Sequence, residues 1–265
     1  MNLDKICKKN IIKDIQDSIE YSPNAFGLTE NLTGKNVKIA IIGTGLPVNR
    51  YVKNFADFDT LVENVNSPYD SIGHSTILAG FLGGSSGRVK GMVPNSVIYN
   101  IKAFGEDLYA SPSTITASVL WCIIKDVDII IIPFELDFSY RPLCDALKKA
   151  NNEGVFILTV PSNWQEEYPI TMPIKGIKNS KPFKLLSSSS SDNGYIGVSL
   201  PIKSCISLYS KNWYIKASTN FTSLGLAAGV FAALIEKNKK TAKKKHNKID
   251  SAIKVINDIK KISIK

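Results

Sequence analysis

Histidine is scarce in this 265-residue chain: there are two, His74 and His246. His246 lies in a run of lysines, so chemistry that needs an imidazole rests on His74. Cysteine is almost as rare. Cys7, Cys122, Cys144 and Cys205 are scattered, with no CxxC pair and no neighbouring histidine, which excludes the usual zinc spacings and a disulfide framework and leaves buried free thiols. No apolar run reaches the ~20 residues of a membrane span. The opening MNLDKICKKNIIKDI has no uninterrupted apolar segment, so no signal peptide is expected, and a cytoplasmic location follows. Acid is in deficit, giving a net charge of +10. Most of that excess sits in residues 236–265, where eleven lysines stand against three acids. The tail has no aromatic residues interleaved for base stacking, so it reads as a solvated basic segment and no nucleic-acid partner is expected.

What is present alternates between buried strands and helices. Residues 37–42 (VKIAII) form a nearly continuous apolar run ending in Gly43-Thr44-Gly45. A third glycine and a following helix are missing, so this is not a complete phosphate loop. GHSTILAG, residues 73–80, opens a helix with Ser75 and Thr76 in its first turn. Further strands are expected at 96–103, in DVDIIIIP and in VFILTV. Helices are expected from Pro112, from Pro142 and over 222–237. The pattern specifies an α/β fold with a parallel, doubly wound central sheet and helices on both faces. Residues 1–33 read as a short amphipathic helix (Ile11, Ile12, Ile15, Ile19) and a loop. Residues 164–217 read as short antiparallel strands and loops, with the serine run 187–191 a loop. At the end, Ile249, Ile253, Ile256 and Ile259 recur at helical spacing, as in a terminal helix packed on the body.

Six segments, in order, resemble the blocks of the subtilisin-like serine proteases (subtilases). GHSTILAG resembles the histidine block GHGTHVAG, with three of eight positions changed. NVKIAIIGTGLP resembles the aspartate block, which usually ends Asp-Thr-Gly. GMVPNSVIYNIKAF is similar to the GVAPNA strand, DVDIIIIPFEL to the substrate-lining strand and GVFILTVPSN to the oxyanion strand. STNFTSLGLAAGVFAALI resembles the serine block GTSMASPHVAGAAALI. The resemblance implies a subtilisin-like fold, with a body at 34–236, an N-terminal extension at 1–33 and a basic linker and helix at 237–265.

The same resemblance marks what has changed. A subtilase needs a serine nucleophile, a histidine base and an aspartate that orients the imidazole. The aspartate position is Gly43 here and the serine position is Phe221, while His74 and the oxyanion asparagine, Asn163, remain. Without a nucleophile no acyl-enzyme forms. In the peptide groove, Pro133-Phe134-Glu135 replaces Ser-Leu-Gly: Pro133 has no N–H for an added strand, and Glu135 puts a charge where glycine leaves the pocket open. Pro161-Ser162 replaces Ala-Gly. Loop 83–90, where many relatives bind calcium, carries no acid, so neither metal nor cofactor is expected. The expectation is a catalytically inactive subtilase-like protein that binds or scaffolds a peptide or protein partner such as an active subtilase, for which inactive members among the spore-germination subtilases are a precedent. The alternative is a serine-type endopeptidase with a relocated nucleophile, Thr222 or Ser223, or with a site completed by a partner chain. Asp70, four residues before His74, is the nearest acid in sequence; helix capping is its ordinary role.

Overall fold

The structure is a computed structural model that describes residues 11–12, 19–20, 22–28, 31–52, 55–60, 67–161, 171–177, 187–190, 196–201, 205–217, 220–242 and 247–263. In chain order its strands are β1 (Ile11–Ile12), β2 (Ile19–Glu20), β3 (Lys38–Gly43), β4 (Phe55–Thr60), β5 (Val89–Lys90), β6 (Val97–Lys102), β7 (Ile129–Ile132), β8 (Phe156–Thr159), β9 (Met172–Ile177), β10 (Ser187–Ser190), β11 (Ile196–Pro201), β12 (Cys205–Leu208) and β13 (Tyr214–Ala217). The α-helices are α1 (His74–Gly83), α2 (Pro112–Ile124), α3 (Arg141–Asn152), α4 (Asn220–Thr241) and α5 (Lys248–Ser263).

Eight strands form the central sheet in the order β10-β11-β9-β8-β7-β3-β6-β4, and every pair is parallel except β10–β11. The isoleucine-rich strands are buried on both faces, as parallel strands under helices must be. Side chains alternate between two cores. Ile39, Ile41, Ile129, Ile131 and Leu158 point toward the layer that contains Leu78 of α1 and Leu224 and Phe231 of α4. Ala40, Ile42, Ile130, Ile132 and Ile157 point toward Val119 of α2 and Leu147 of α3. This is the doubly wound α/β sheet expected from the alternation, and it gathers the carboxyl ends of β3, β6, β7 and β8 with the start of α1 along one edge.

Three expectations need correction. Residues 11–12 and 19–20 are strands, not helix: Ile11 and Ile12 pair with Ile215 and Tyr214, and Ile19 and Glu20 with Val89 and Lys90. Short β-branched pieces gain more by completing a ladder than from helical spacing. Ile15 lies outside the described residues. The serine run is strand β10, pairing with β11. Backbone pairing at a sheet edge needs no side-chain periodicity, so pattern reading misses it. Within 164–217, β9 and β11 are parallel members of the main sheet, whereas β12 and β13 are antiparallel as expected.

The long helix α4 is clamped near its C-terminal end. The buried Glu236 accepts hydrogen bonds from the backbone N–H groups of Thr33 and Gly34, both at 2.7 Å, and pairs with Lys240 at 2.8 Å. Lys239 donates to both carboxylate oxygens of Asp128, which also accepts from the Lys38 N–H. Burial works against the Glu236 charge, but Lys240 and the Gly34 and Thr33 N–H groups outweigh it and hold the carboxyl below its ordinary range. A carboxyl depressed by folding stabilises fully above its ordinary value of 4.5 and loses that stabilisation as pH falls through the lower folded value. Glu236→Gln is therefore expected to cost about 1–3 kcal/mol at pH 7. The gap to the parent should narrow as pH falls below about 4.5, read as melting temperature against pH. A gap that persists unchanged to pH 3 would show that the charge is not what matters.

Candidate functional site at the carboxyl edge of the sheet

Helix α1 begins at Gly73, whose φ of 101° suits glycine and whose missing Cβ leaves room for the Tyr209 ring. The buried Asp70 organises this start. One carboxylate oxygen accepts from the Gly73 N–H (2.7 Å) and the Thr44 hydroxyl (2.8 Å), the other from the Thr76 N–H (2.8 Å) and hydroxyl (2.7 Å). Asp70 therefore caps α1, satisfying donors that a helix start leaves open. Tyr209 closes over the turn, donating its hydroxyl to the Ile72 carbonyl at 2.9 Å.

Gly43 ends β3 and faces the same helix. The Thr44 N–H donates to Ser75 Oγ at 2.9 Å, and the Ser75 N–H donates to Thr44 Oγ1 at 3.2 Å. A Cβ at position 43 would overlap Ser75 Oγ. Ser75 stands where the subtilase block GHGTHVAG has glycine, and its hydroxyl lies in the space a side chain at position 43 would enter. The sequence alone assigns Ser75 no role, although serine at 75 together with glycine at 43, each the reverse of the bulk in the subtilase blocks, is the available signal.

His74 is buried at the head of α1 among phenylalanines. Its ring centroid lies 4.9 Å from that of Phe221, on the first turn of α4, and 5.7 Å from that of Phe134. Phe134 meets Phe221 edge-on at 6.1 Å and lies 4.0 Å from Phe104, which follows β6. Such tilted and edge-on pairs are favoured by ring quadrupoles. Phe104 is the member that sequence reasoning missed. Pro133 is buried, Phe134 half-buried and Glu135 exposed just beyond β7. Ser162 and Asn163 lie outside the described residues. Thr222 and Ser223, behind Phe221, are fully buried, and their hydroxyls have no hydrogen-bond partner among the described residues. The structure thus brings together His74, Phe221, Phe134 and Gly43; Asp70 is close in sequence but directs its oxygens at Thr44, Gly73 and Thr76. Among the described residues, no cluster of three histidine, cysteine or acidic side chains could hold a metal ion.

Comparison with known proteins agrees with this architecture. The chain is 25% identical over 214 residues to the minor extracellular protease Epr of Bacillus subtilis (strain 168), covering 78% of this chain and 33% of Epr. It is 22% identical over 192 residues to subtilisin of Bacillus pumilus, covering 67% of this chain and 70% of that protein. It is 28% identical over 130 residues to serine protease AprX of B. subtilis (strain 168), covering 46% of this chain and 29% of AprX. The chain thus spans about a third of the length of Epr. No family model matches it. These likenesses support a subtilase-like relationship, and the mostly parallel sheet between two helix layers is an α/β architecture consistent with a subtilisin-like fold.

Proposed function

We propose that this chain is a subtilase-like pseudoprotease, a catalytically inactive protein that binds or scaffolds a peptide or protein partner such as an active subtilase. One observation carries the reading: the Phe221 ring packs 4.9 Å from the His74 ring, where the serine block puts the nucleophile. Phenylalanine has no oxygen to deprotonate, and Gly43 has no carboxylate to orient an imidazole. In this reading His74 and Asn163 are retained family positions, Gly43 and Phe221 are the degenerate triad, and Pro133, Phe134, Glu135 and Ser162 line the altered peptide groove. The subtilase-like domain is 34–236, flanked by an extension at 1–33 and the basic segment and helix at 237–265. Cys122 and Cys144 are buried free thiols, and burial pushes the Cys122 thiol up, which suits a reducing cytoplasm. Among the described residues, no helix is long and apolar enough to cross a membrane.

The competing reading is a serine-type endopeptidase with a relocated nucleophile or a site completed by a partner chain. Thr222 and Ser223 are the candidates, and their complete burial counts against attack on a bound peptide. Treatment with a fluorophosphonate probe followed by peptide mapping separates the two. No labelled residue and no hydrolysis of a peptide library is the expected result. Label on Thr222 or Ser223 would overturn the pseudoprotease.

A further inference from the structure

Lys102, the last residue of β6, breaks the usual rule for lysine. It is 4% exposed, and among the described residues its ammonium group donates to the backbone carbonyls of Ser67 (3.1 Å) and Tyr69 (2.7 Å) alone. No carboxylate of the described residues lies within ion-pair distance of it. An ammonium has three donors, so one N–H has no acceptor among the described residues. A buried cation left this way is costly to desolvate and is ordinarily paired.

Lys102 also lines a cavity of about 590 Å³, together with Val48, Tyr69, Lys211 and Glu106. That volume lies within the ~300–1,000 Å³ usual for ligand sites. We infer that this cavity binds the C-terminal carboxylate of a peptide, with Lys102 as the cation that receives it. Three features select that ligand. The open N–H asks for an anionic acceptor, which makes the strong kind of hydrogen bond. Two acids border the cavity: Asp70, whose oxygens already serve four donors, and Glu106, which accepts from the Ser71 hydroxyl at 3.0 Å. They repel a second negative charge, so a carboxylate monoanion fits better than a phosphate dianion. Finally, Val48 and Tyr69 are 46% and 51% exposed and offer apolar surface for the residues that precede the carboxylate. The inference does not depend on whether the neighbouring His74 site hydrolyses anything, and the two fail separately.

The test titrates the full chain with acetyl-Ala-Ala-Phe as its free acid, as its amide, and with acetyl-Ala-Asp-Phe amide, which carries its carboxylate on a side chain. Binding is followed by calorimetry and by the ¹H–¹⁵N signal of the Lys102 ammonium. The free acid is expected to bind at least about tenfold more tightly than either amide and to shift the ammonium signal. Lys102→Met should abolish the preference. Because that change removes hydrogen bonds to two carbonyls, Tyr69→Ala serves as the second variant: it should weaken binding of the acid while the melting temperature holds. Equal binding of acid and amide, tighter binding of the aspartyl amide, or no binding of any of the three would overturn the inference.

Discussion

The double substitution Phe221→Ser with Gly43→Asp is expected to yield no measurable peptidase activity and a markedly less stable chain, although it supplies the serine and aspartate of the subtilase blocks at these positions. Phe221 is 8% exposed and packs on His74 and Phe134. Truncating a buried phenylalanine costs ~3–5 kcal/mol. An aspartate at 43 collides with Ser75 Oγ, and turning that hydroxyl away leaves the Thr44 N–H without its acceptor, a further ~1–3 kcal/mol. At ~2–4 °C per kcal/mol for a chain near this size, the melting temperature should fall by ~10–20 °C. In the proposed reading Pro133 and Glu135, which the double substitution leaves in place, oppose strand addition by a substrate. Ser75→Gly added to Gly43→Asp should recover part of the loss, and a double-mutant cycle should show favourable coupling of ~0.5–3 kcal/mol between the two positions. Efficient cleavage of a peptide library by the double variant would show that the groove is open after all. Additive effects at 43 and 75 would remove the proposed collision.

Deleting residues 249–265 should lower the melting temperature by about 10 °C. Helix α5 packs against α4 through Val255 and Ile259, which are 0% and 2% exposed, with Ala252 and Ile256 partly covered. Exposing side chains of this kind costs ~1.5–3 kcal/mol each. The helix start is also pinned, since Lys248 pairs with Asp126 at 2.8 Å and donates to the Val127 carbonyl at 2.7 Å. Lys239 and Lys240 meet Asp128 and Glu236, so part of the tail's positive charge is neutralised within the chain. Unchanged melting, with loss of salt-sensitive partner binding, would instead make the segment a detachable arm.

The sequence made the central sheet legible because its strands are buried on both faces and therefore read as plain apolar runs, as in IIII at 129–132. It made α1 and α4 legible through family-like blocks whose glycines and small residues fix close packing. Elements whose support is backbone pairing were not legible: β1 and β2 are built by partners remote in sequence, and β10 by the neighbouring strand β11, with no side-chain pattern to mark it. The face of α5 was read one step out of phase. Ile249 and Ile253 are 47% and 56% exposed, and Val255 takes the inner place, because four isoleucines at helical spacing do not say which of two adjoining stripes meets the core. At the site, Gly43 and Phe221 stand out as departures from the subtilase blocks and His74 as a position that matches them. Asp70 was weighed as a partner for His74, yet whether a carboxylate turns toward a ring or toward backbone N–H groups depends on a turn that no local pattern specifies. Phe104 and the Thr44–Ser75 hydrogen bonds come from strand and helix ends that meet only in the folded chain.

The packing of Ser75 into the space beside Gly43 ties the two positions together as a lock and its bolt. An aspartate placed at 43 meets the serine hydroxyl, and a glycine placed at 75 strips the Thr44 N–H of its acceptor. Each single change therefore costs stability on its own, and only a paired change spares it. Substitutions at this end of β3 and at the head of α1 are thus constrained to arise together.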